Sequence, residues 1–391
     1  MNQLFADLHI HLGSTYQGKP VKISASPNLT LPNVLDTAFL VKGLQIVGII
    51  DCHVPAVIDE LEHMIKGNEL YEHEDGGLIY KNGCLLPGSE IEIYDGSCNG
   101  PIHVLVYFPD LYHLKQFSNW LSSRMTNVNL SSQRFYGTAL ELQEKTKELS
   151  GIFVIAHAFT PFKSMYGKGV KTSLIEVFNP ELIDAIELGL SSDSKMADQI
   201  SELHPYSFLT NSDAHSLEKI AREYQVLELE QPTFLELKLA LAGRSGRRVK
   251  SNFGLNPLLG KYYSTCCAKC GEPGTLENVG KRCSVCGKGK IIKGVFDRIQ
   301  EIGNVDPQSK TPNRPEYIHQ VPLEFIPGIG PGTLKKLRTA FGTDMQVIHR
   351  TSLKDLVTIV PEKIARHILS SRNGQLSVQP GGGGKYGTIN K

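Results

Sequence analysis

The stretch FADLHIH, residues 5–11, decides how this chain is read. Side chains alternate across a β-strand, so His9 and His11 project from the same face and can grip one cation together. The stretch FLTNSDAH, residues 208–215, repeats the two-residue spacing with Asp213 and His215. Between them come His53 in GIIDCHVP, Glu90 in LLPGSEIEI, His103 in PIHVLVYF and His157 in IFVIAHAF. Each polar residue stands at or near the carboxyl end of an apolar, strand-like run, where parallel α/β architectures place their chemistry. Imidazoles and carboxylates bind divalent transition metals. A closed structural zinc site uses only four ligands, so this set suits two or three ions in one pocket. Ions clustered around a phosphate would acidify a bound water and neutralise the phosphoryl oxygens, which makes water on phosphorus the natural reaction.

Working outward, strands are expected at 4–10, 45–51, 84–93, 102–108, 152–157, 184–188 and 206–211. Helices are expected near 33–42, 56–66, 110–122, 138–149, 192–203 and 232–242. Such alternation predicts an α/β fold with a mostly parallel sheet, and seven strands with chemistry at their ends fit a closed barrel better than an open sheet. The polar segment 124–137 (RMTNVNLSSQRFYG) reads as a loop over the site. With 391 residues, 40% of them hydrophobic, the chain has room for two or three domains. No apolar run approaches the roughly 18 residues of a membrane span. The start MNQLFADLHIH lacks a basic-then-apolar signal, and the cysteines lack a disulfide framework. Both predict a cytoplasmic protein.

The motif order, HxH through SDxH, is similar to that of the PHP (polymerase and histidinol phosphatase) superfamily. The resemblance implies a distorted seven-stranded (β/α) barrel with a trinuclear metal site. Carried over residue by residue, it implies His9, His11, His53, Glu90, His103, His157, Asp213 and His215 as ligands. Many members carry a further ligand shortly after the first HxH, whereas GSTYQGKP (13–20) holds no histidine. The third ion is therefore expected to be weakly held or bound by another group. Asp7 and Asp51 are expected to orient imidazoles. Glu187 is an even choice between facing the pocket and a structural role. Glu90, His157 and Asp213 are the expected catalytic residues, acting with His9 and His11 through ions that activate water.

The net charge of +1 conceals an asymmetry. Residues 244–294 carry eleven Lys/Arg and two Glu, which leaves the rest of the chain acidic. A compact basic block is a footprint for a polyanion. Within it, Cys267-x-x-Cys270 and Cys283-x-x-Cys286 form a zinc-ribbon signature over 253–300. So small a module needs its ion to fold, and Lys281 and Arg282 beside it suggest a grip on DNA. Near the C-terminus, IPGIGPGTLKKL resembles the helix-hairpin-helix motif. There Gly328 and Gly330 would let the backbone turn tightly and aim N–H groups at a phosphate, with Lys335 and Lys336 adding charge. Residues 316–372 are expected to be helical, and the glycine-rich 373–391 disordered.

A metal hydrolase barrel (1–245), a zinc module and a phosphate-gripping hairpin together resemble the endonuclease Q family of DNA repair enzymes. That resemblance, with the stretch RPEYIHQVPLEFIPGIG, reaches to about residue 372. It implies incision of DNA on the 5′ side of uracil, hypoxanthine, xanthine and abasic sites. Competing readings are a PHP-family small-molecule phosphoesterase and a non-catalytic DNA-binding protein. The cofactors expected are a structural Zn²⁺ in the four-cysteine module and two or three divalent ions (Zn²⁺, Mn²⁺ or Mg²⁺) in the barrel. Damaged DNA is the expected partner. A sliding clamp or other repair protein is a further partner for which the tail GTIN carries no docking signal.

Overall fold

A computed structural model describes every residue except 261, 307–311, 377, 380–386, 390 and 391. The seven expected strands all form: β1 (Asn2–Ile10), β2 (Ile46–Ile49), β3 (Gly83–Ile93), β4 (Ile102–Tyr107), β5 (Ile152–Ile155), β6 (Ala185–Glu187) and β7 (Ser207–Leu209). They lie in the order β7-β6-β5-β4-β3-β2-β1. The curled sheet meets itself where Ile10 bridges Ala214 in parallel and Asn211 accepts a 2.8 Å bond from Leu8 N–H. Alternate residues of one strand fall into different apolar layers: Leu105 and Tyr107 pack with Leu8 and Val154, while Val104 and Val106 pack with Ile49 and Phe153. Both faces of the sheet are therefore buried, as the Val/Ile/Leu-rich runs require. Backbones pack closely here, for a Cβ at Gly48 would stand 2.4 Å from the carbonyl oxygen of Leu8.

One strand departs from the parallel expectation. β4 runs antiparallel to both neighbours, β3 and β5. His103 thus sits at the start of its strand, not the end, yet reaches the same rim as the others. Two more strands extend the sheet beyond β1: β8 (Tyr224–Leu229) and β9 (Arg248–Gly254), both antiparallel.

The helices are α1 (Leu31–Asp36), α2 (Pro55–Lys66), α3 (Leu111–Ser122), α4 (Ala139–Glu148), α5 (Ser194–Ala197) and α6 (Phe234–Leu241) in the N-terminal part. Thr138 and Glu141 close a capping box at the start of α4. The helix expected at 192–203 is instead the single turn α5 followed by a 3₁₀ turn at Ser201–Leu203. The helix expected at 33–42 changes at Thr37 to π geometry, which runs to Lys42.

Strands β10 (Cys266–Cys267) and β11 (Ile291–Ile292) pair in the cysteine module, followed by α7 (Val295–Ile302). The segment 316–372 is not purely helical: β12 (Glu316–His319) joins β9 in parallel and ties this segment to the sheet. The proline-rich stretch before it is anchored at Arg314, which donates to Asp198 and to the Leu203 carbonyl and covers the Phe208 ring. Helices α8 (Pro331–Phe341), α9 (Asp344–His349), α10 (Leu353–Leu356) and α11 (Glu362–Arg372) then enclose their own core of Leu337, Val347, Leu356 and Ile368. They dock on the barrel through a buried Lys42–Asp344 pair at 3.3 Å and a Tyr224–His349 hydrogen bond at 2.6 Å. Of the tail expected to be disordered, 377, 380–386, 390 and 391 lie outside the described residues, while 373–375 close the end of α11 and 378–379 pair antiparallel with 388–389. No helix among the described residues is long and apolar enough to cross a membrane.

Candidate metal centre

Strand ends of the barrel rim gather the expected side chains into three overlapping triads. They are His9–His11–Glu90, His11–Asp213–His215 and Glu90–His103–His157, each with its ligand atoms within 4.8 Å of one another. His9 Nε2 lies 3.6 Å from Glu90 Oε1 and 3.5 Å from Asp213 Oδ1. His11 Nε2 lies 3.4 Å from Asp213 Oδ1 and 3.7 Å from Glu90 Oε2. Ligands held about 2.1 Å from a tetrahedral ion stand about 3.4 Å apart, so these four side chains have the spacing of a coordination shell. His9 Nε2 is also buried with no hydrogen-bond partner among the described residues, which suits a lone pair reserved for an ion. His157 Nε2 lies 3.5 Å and His103 Nδ1 2.7 Å from Glu90 Oε1, so Glu90 stands between the triads.

His53 joins none of the triads. It is fully buried, both ring nitrogens lack a hydrogen-bond partner among the described residues, and burial pushes its pKa down to about 4.

The groups that orient the imidazoles differ from expectation. Asp51 does brace His11, with both oxygens 3.1 Å from Nδ1. Asp7 instead accepts from the backbone N–H groups of Ser212, Ala221 and His9, and so shapes the Asp213 loop. Burial raises its carboxyl to about 6 against those bonds. Glu187 takes the part expected of Asp7: it is fully buried, holds His9 Nδ1 at 3.0 and 3.1 Å, and accepts from His157 N–H at 3.2 Å. A carboxylate only accepts, so each braced imidazole carries its proton on Nδ1 and turns Nε2 toward the cage.

Charge is balanced tightly. Burial works to raise the Glu90 carboxyl, but His103 and Lys22 outweigh it and hold it well below the usual carboxylate range. Asp213 is likewise held well below that range against burial, by His9 and His11. His9 is pushed the other way: burial would lower it, yet Glu187 and Asp213 raise it well above an ordinary histidine. Two cage residues adopt left-handed backbone, His157 at φ +28° and Asp213 at φ +45°. Such strain persists only where surrounding structure enforces it, and it clusters at functional sites. Gly189 makes room for the first, since a Cβ there would stand 3.0 Å from His157 Cβ.

The cage opens into a cavity of about 640 Å³. Its walls include Lys22, Ile23, Ser132, Gln133, Phe162 and Tyr262. The loop expected over the site therefore does reach it: Ser131 bonds Asp51 and Ser132 bonds Glu90. Lys22 was not foreseen, for a lone lysine in a loop carries no sequence signal.

In the small module, Cys267, Cys270, Cys283 and Cys286 bring their sulfurs within 4.8 Å of one another. Lys281 and Arg282 are exposed beside them. In the hairpin, Gly328 has φ +92°, as a tight turn demands. Gly330 does not share that geometry: it has an extended φ of −94° and caps α8. Its smallness serves openness, since nothing lies within 4 Å of where a Cβ would stand. Lys335 and Lys336 are exposed on the first turns of α8.

A curled α/β barrel carrying this cage of imidazoles and carboxylates has the form of a metal-dependent hydrolase. No protein-family model matches the chain. It is 52% identical over 389 residues to the uncharacterized protein YqxK of Bacillus subtilis strain 168, covering the full length of both. Its fold superposes on the lesion-specific endonuclease PfuEndoQ from Pyrococcus furiosus with a TM-score of 0.85. That match has 32% identity and covers 100% of this chain and 95% of the other. A crystal structure of endonuclease Q with a 27-mer duplex bearing an abasic lesion at its active site gives the same score at 31% identity, covering 100% of this chain and 96% of that one. The chain belongs to the endonuclease Q family and is a metal-dependent DNA repair endonuclease.

Proposed function

We propose that this chain nicks duplex DNA on the 5′ side of uracil, hypoxanthine, xanthine and abasic sites, leaving a 3′-hydroxyl and a 5′-phosphate. The observation that carries the reading is the convergence of His9, His11, Glu90, His157 and Asp213 in one cage, of which Glu90, His157 and Asp213 line a cavity large enough for one extruded nucleotide. In this reading those residues and His103 and His215 hold two or three divalent ions, Zn²⁺, Mn²⁺ or Mg²⁺, while His53 packs beside them. Bound ions supply acidified water and neutralise charge on the phosphoryl oxygens. The chain's own residues do the rest. Glu187 and Asp51 fix the imidazole tautomers, Glu90 links the triads, and the strained turns at His157 and Asp213 pre-set two donors. A deaminated or missing base stacks and pairs poorly, so it leaves the duplex most cheaply.

The remaining modules act on the rest of the duplex. The four cysteines hold a structural Zn²⁺, and Lys281 and Arg282 contact phosphates. Residues 316–372 add a second grip through the backbone N–H groups of Gly328 and Gly330 at the open start of α8, with Lys335 and Lys336 supplying charge. These contacts carry no sequence information, as suits an enzyme that finds lesions in any context.

Incubation of the full chain with duplexes holding each lesion, with undamaged duplex and with p-nitrophenyl phosphate, under Mg²⁺, Mn²⁺ or Zn²⁺, tests the reading. Lesion-dependent nicks 5′ to the damage support it. Nitrophenol release alone would indicate a small-molecule phosphoesterase, and binding without turnover a non-catalytic protein.

A further inference from the structure

The loop after β1 sends Lys22 into the cage. Its side chain is only 11% exposed, and its partners are candidate ligand atoms. Nζ lies 2.9 Å from His11 Nε2, 2.8 Å from Glu90 Oε2 and 2.6 Å from Ser132 Oγ. An ammonium has three protons and no lone pair, so all three contacts have the lysine as donor. The contact to His11 has a consequence. Asp51 fixes the His11 proton on Nδ1, which leaves Nε2 a single lone pair. Two of the three triads, His9–His11–Glu90 and His11–Asp213–His215, draw on that one lone pair, and Lys22 competes for it. His11 can therefore serve one cation at a time; with the lysine on it, Glu90 Oε1 and Asp213 Oδ1 still stand 3.6 and 3.5 Å from His9 Nε2 as one donor set, and Glu90, His103 and His157 form the other. Glu90 is shared in the same way, with Oε2 turned to Lys22 and Oε1 to His9 and His157.

We propose that the Lys22 ammonium takes the place of one cation in this cage, so that the barrel holds two divalent ions and a lysine instead of three ions. The inference rests on the cage being a metal site. It also accounts for the stretch GSTYQGKP, which carries no imidazole after HxH: the positive charge comes from Lys22, two residues further on. A lysine charge does not exchange with solution metal. Facing the cavity, it offers a fixed cation to a phosphate oxygen beside the ions.

The test is the metal content of the full-length chain, loaded with excess Zn²⁺, desalted and measured by mass spectrometry. With one ion in the cysteine module, wild type should hold three per chain. Lys22→Ala and Lys22→His, each checked for a native circular dichroism spectrum, should gain one ion, while Lys22→Arg should stay at three. Four ions in wild type, or no gain in either folded variant, overturns the role of Lys22. A wild-type count of two, with one ion in the barrel, also overturns the two-ions-plus-lysine arrangement, whereas a count of one overturns the metal cage itself and so separates the two failures.

Discussion

Glu187 offers the sharpest perturbation, because one buried carboxylate sets two cage residues on different strands. It accepts from His9 Nδ1 on β1 and from the backbone N–H of His157, which follows β5. Glu187→Gln keeps the shape but offers one oxygen where two were used, and its NH₂ faces a donor. One charge-assisted bond is lost, worth about 1.5–3 kcal/mol. Loss of an outer partner of a metal-binding histidine costs about 10–100-fold in affinity, or about 1.4–2.8 kcal/mol. The two figures agree, so Glu187→Gln should bind barrel ions about 10–100-fold more weakly and cut an abasic duplex more slowly at limiting metal. Competition against a fluorescent chelator gives the affinity, and single-turnover cleavage gives the rate. Wild-type affinity and rate in Glu187→Gln would refute the idea that this carboxylate aims His9.

Three further outcomes are expected. Asp213→Ala should lower nicking by more than about 10³-fold, in line with loss of a ligand from a catalytic ion, while a gel-shift assay shows nearly unchanged DNA affinity. Cys286→Ser should release the module's ion and expose 262–294 to limited proteolysis with the barrel still folded, because the small module depends on its metal; protection equal to wild type would contradict this. His349 sits at the junction between barrel and helices, where burial pushes its pKa down to about 3. Its folded value lies below the unfolded value of about 6.5, so its contribution is intact above about pH 6.5 and falls as the pH drops below it. At pH 5 the loss is about 2 kcal/mol, and denaturant titrations of wild type and His349→Gln should show a flatter pH slope in the variant.

Much of this was legible in the sequence, for identifiable reasons. Strand parity is local, so the HxH pair announced its shared face, whereas the DxH pair lies beyond β7, where Asp213 turns left-handed, and its spacing reached the cage by a loop; the apolar runs ahead of His157 and Asp213 gave the strands themselves. The spacing of the four cysteines similarly reports a short-range constraint. What escaped was set by long-range pairing. Nothing within PIHVLVYF shows that β4 runs antiparallel, which is what carries His103 to the rim from the start of its strand. Glu187 took the part expected of Asp7 because the Asp213 loop, distant in sequence, offers Asp7 N–H groups from Ser212 and Ala221. His53 follows a strand as its companions do, but packs into the core beside the cage. Gly330 looked like a turn residue, yet the turn falls on Gly328 alone. Lys22 became a site residue only when the 124–137 loop closed over it and Ser132 came within reach.

The central claim is that His9, His11, Glu90, His157 and Asp213 surround divalent ions. Anomalous diffraction from crystals equilibrated with Mn²⁺ tests it most directly. The account predicts anomalous peaks about 2.1–2.2 Å from His9 Nε2 and from oxygens of Glu90 and Asp213. A fully active crystal form with no peak inside the cage would contradict it.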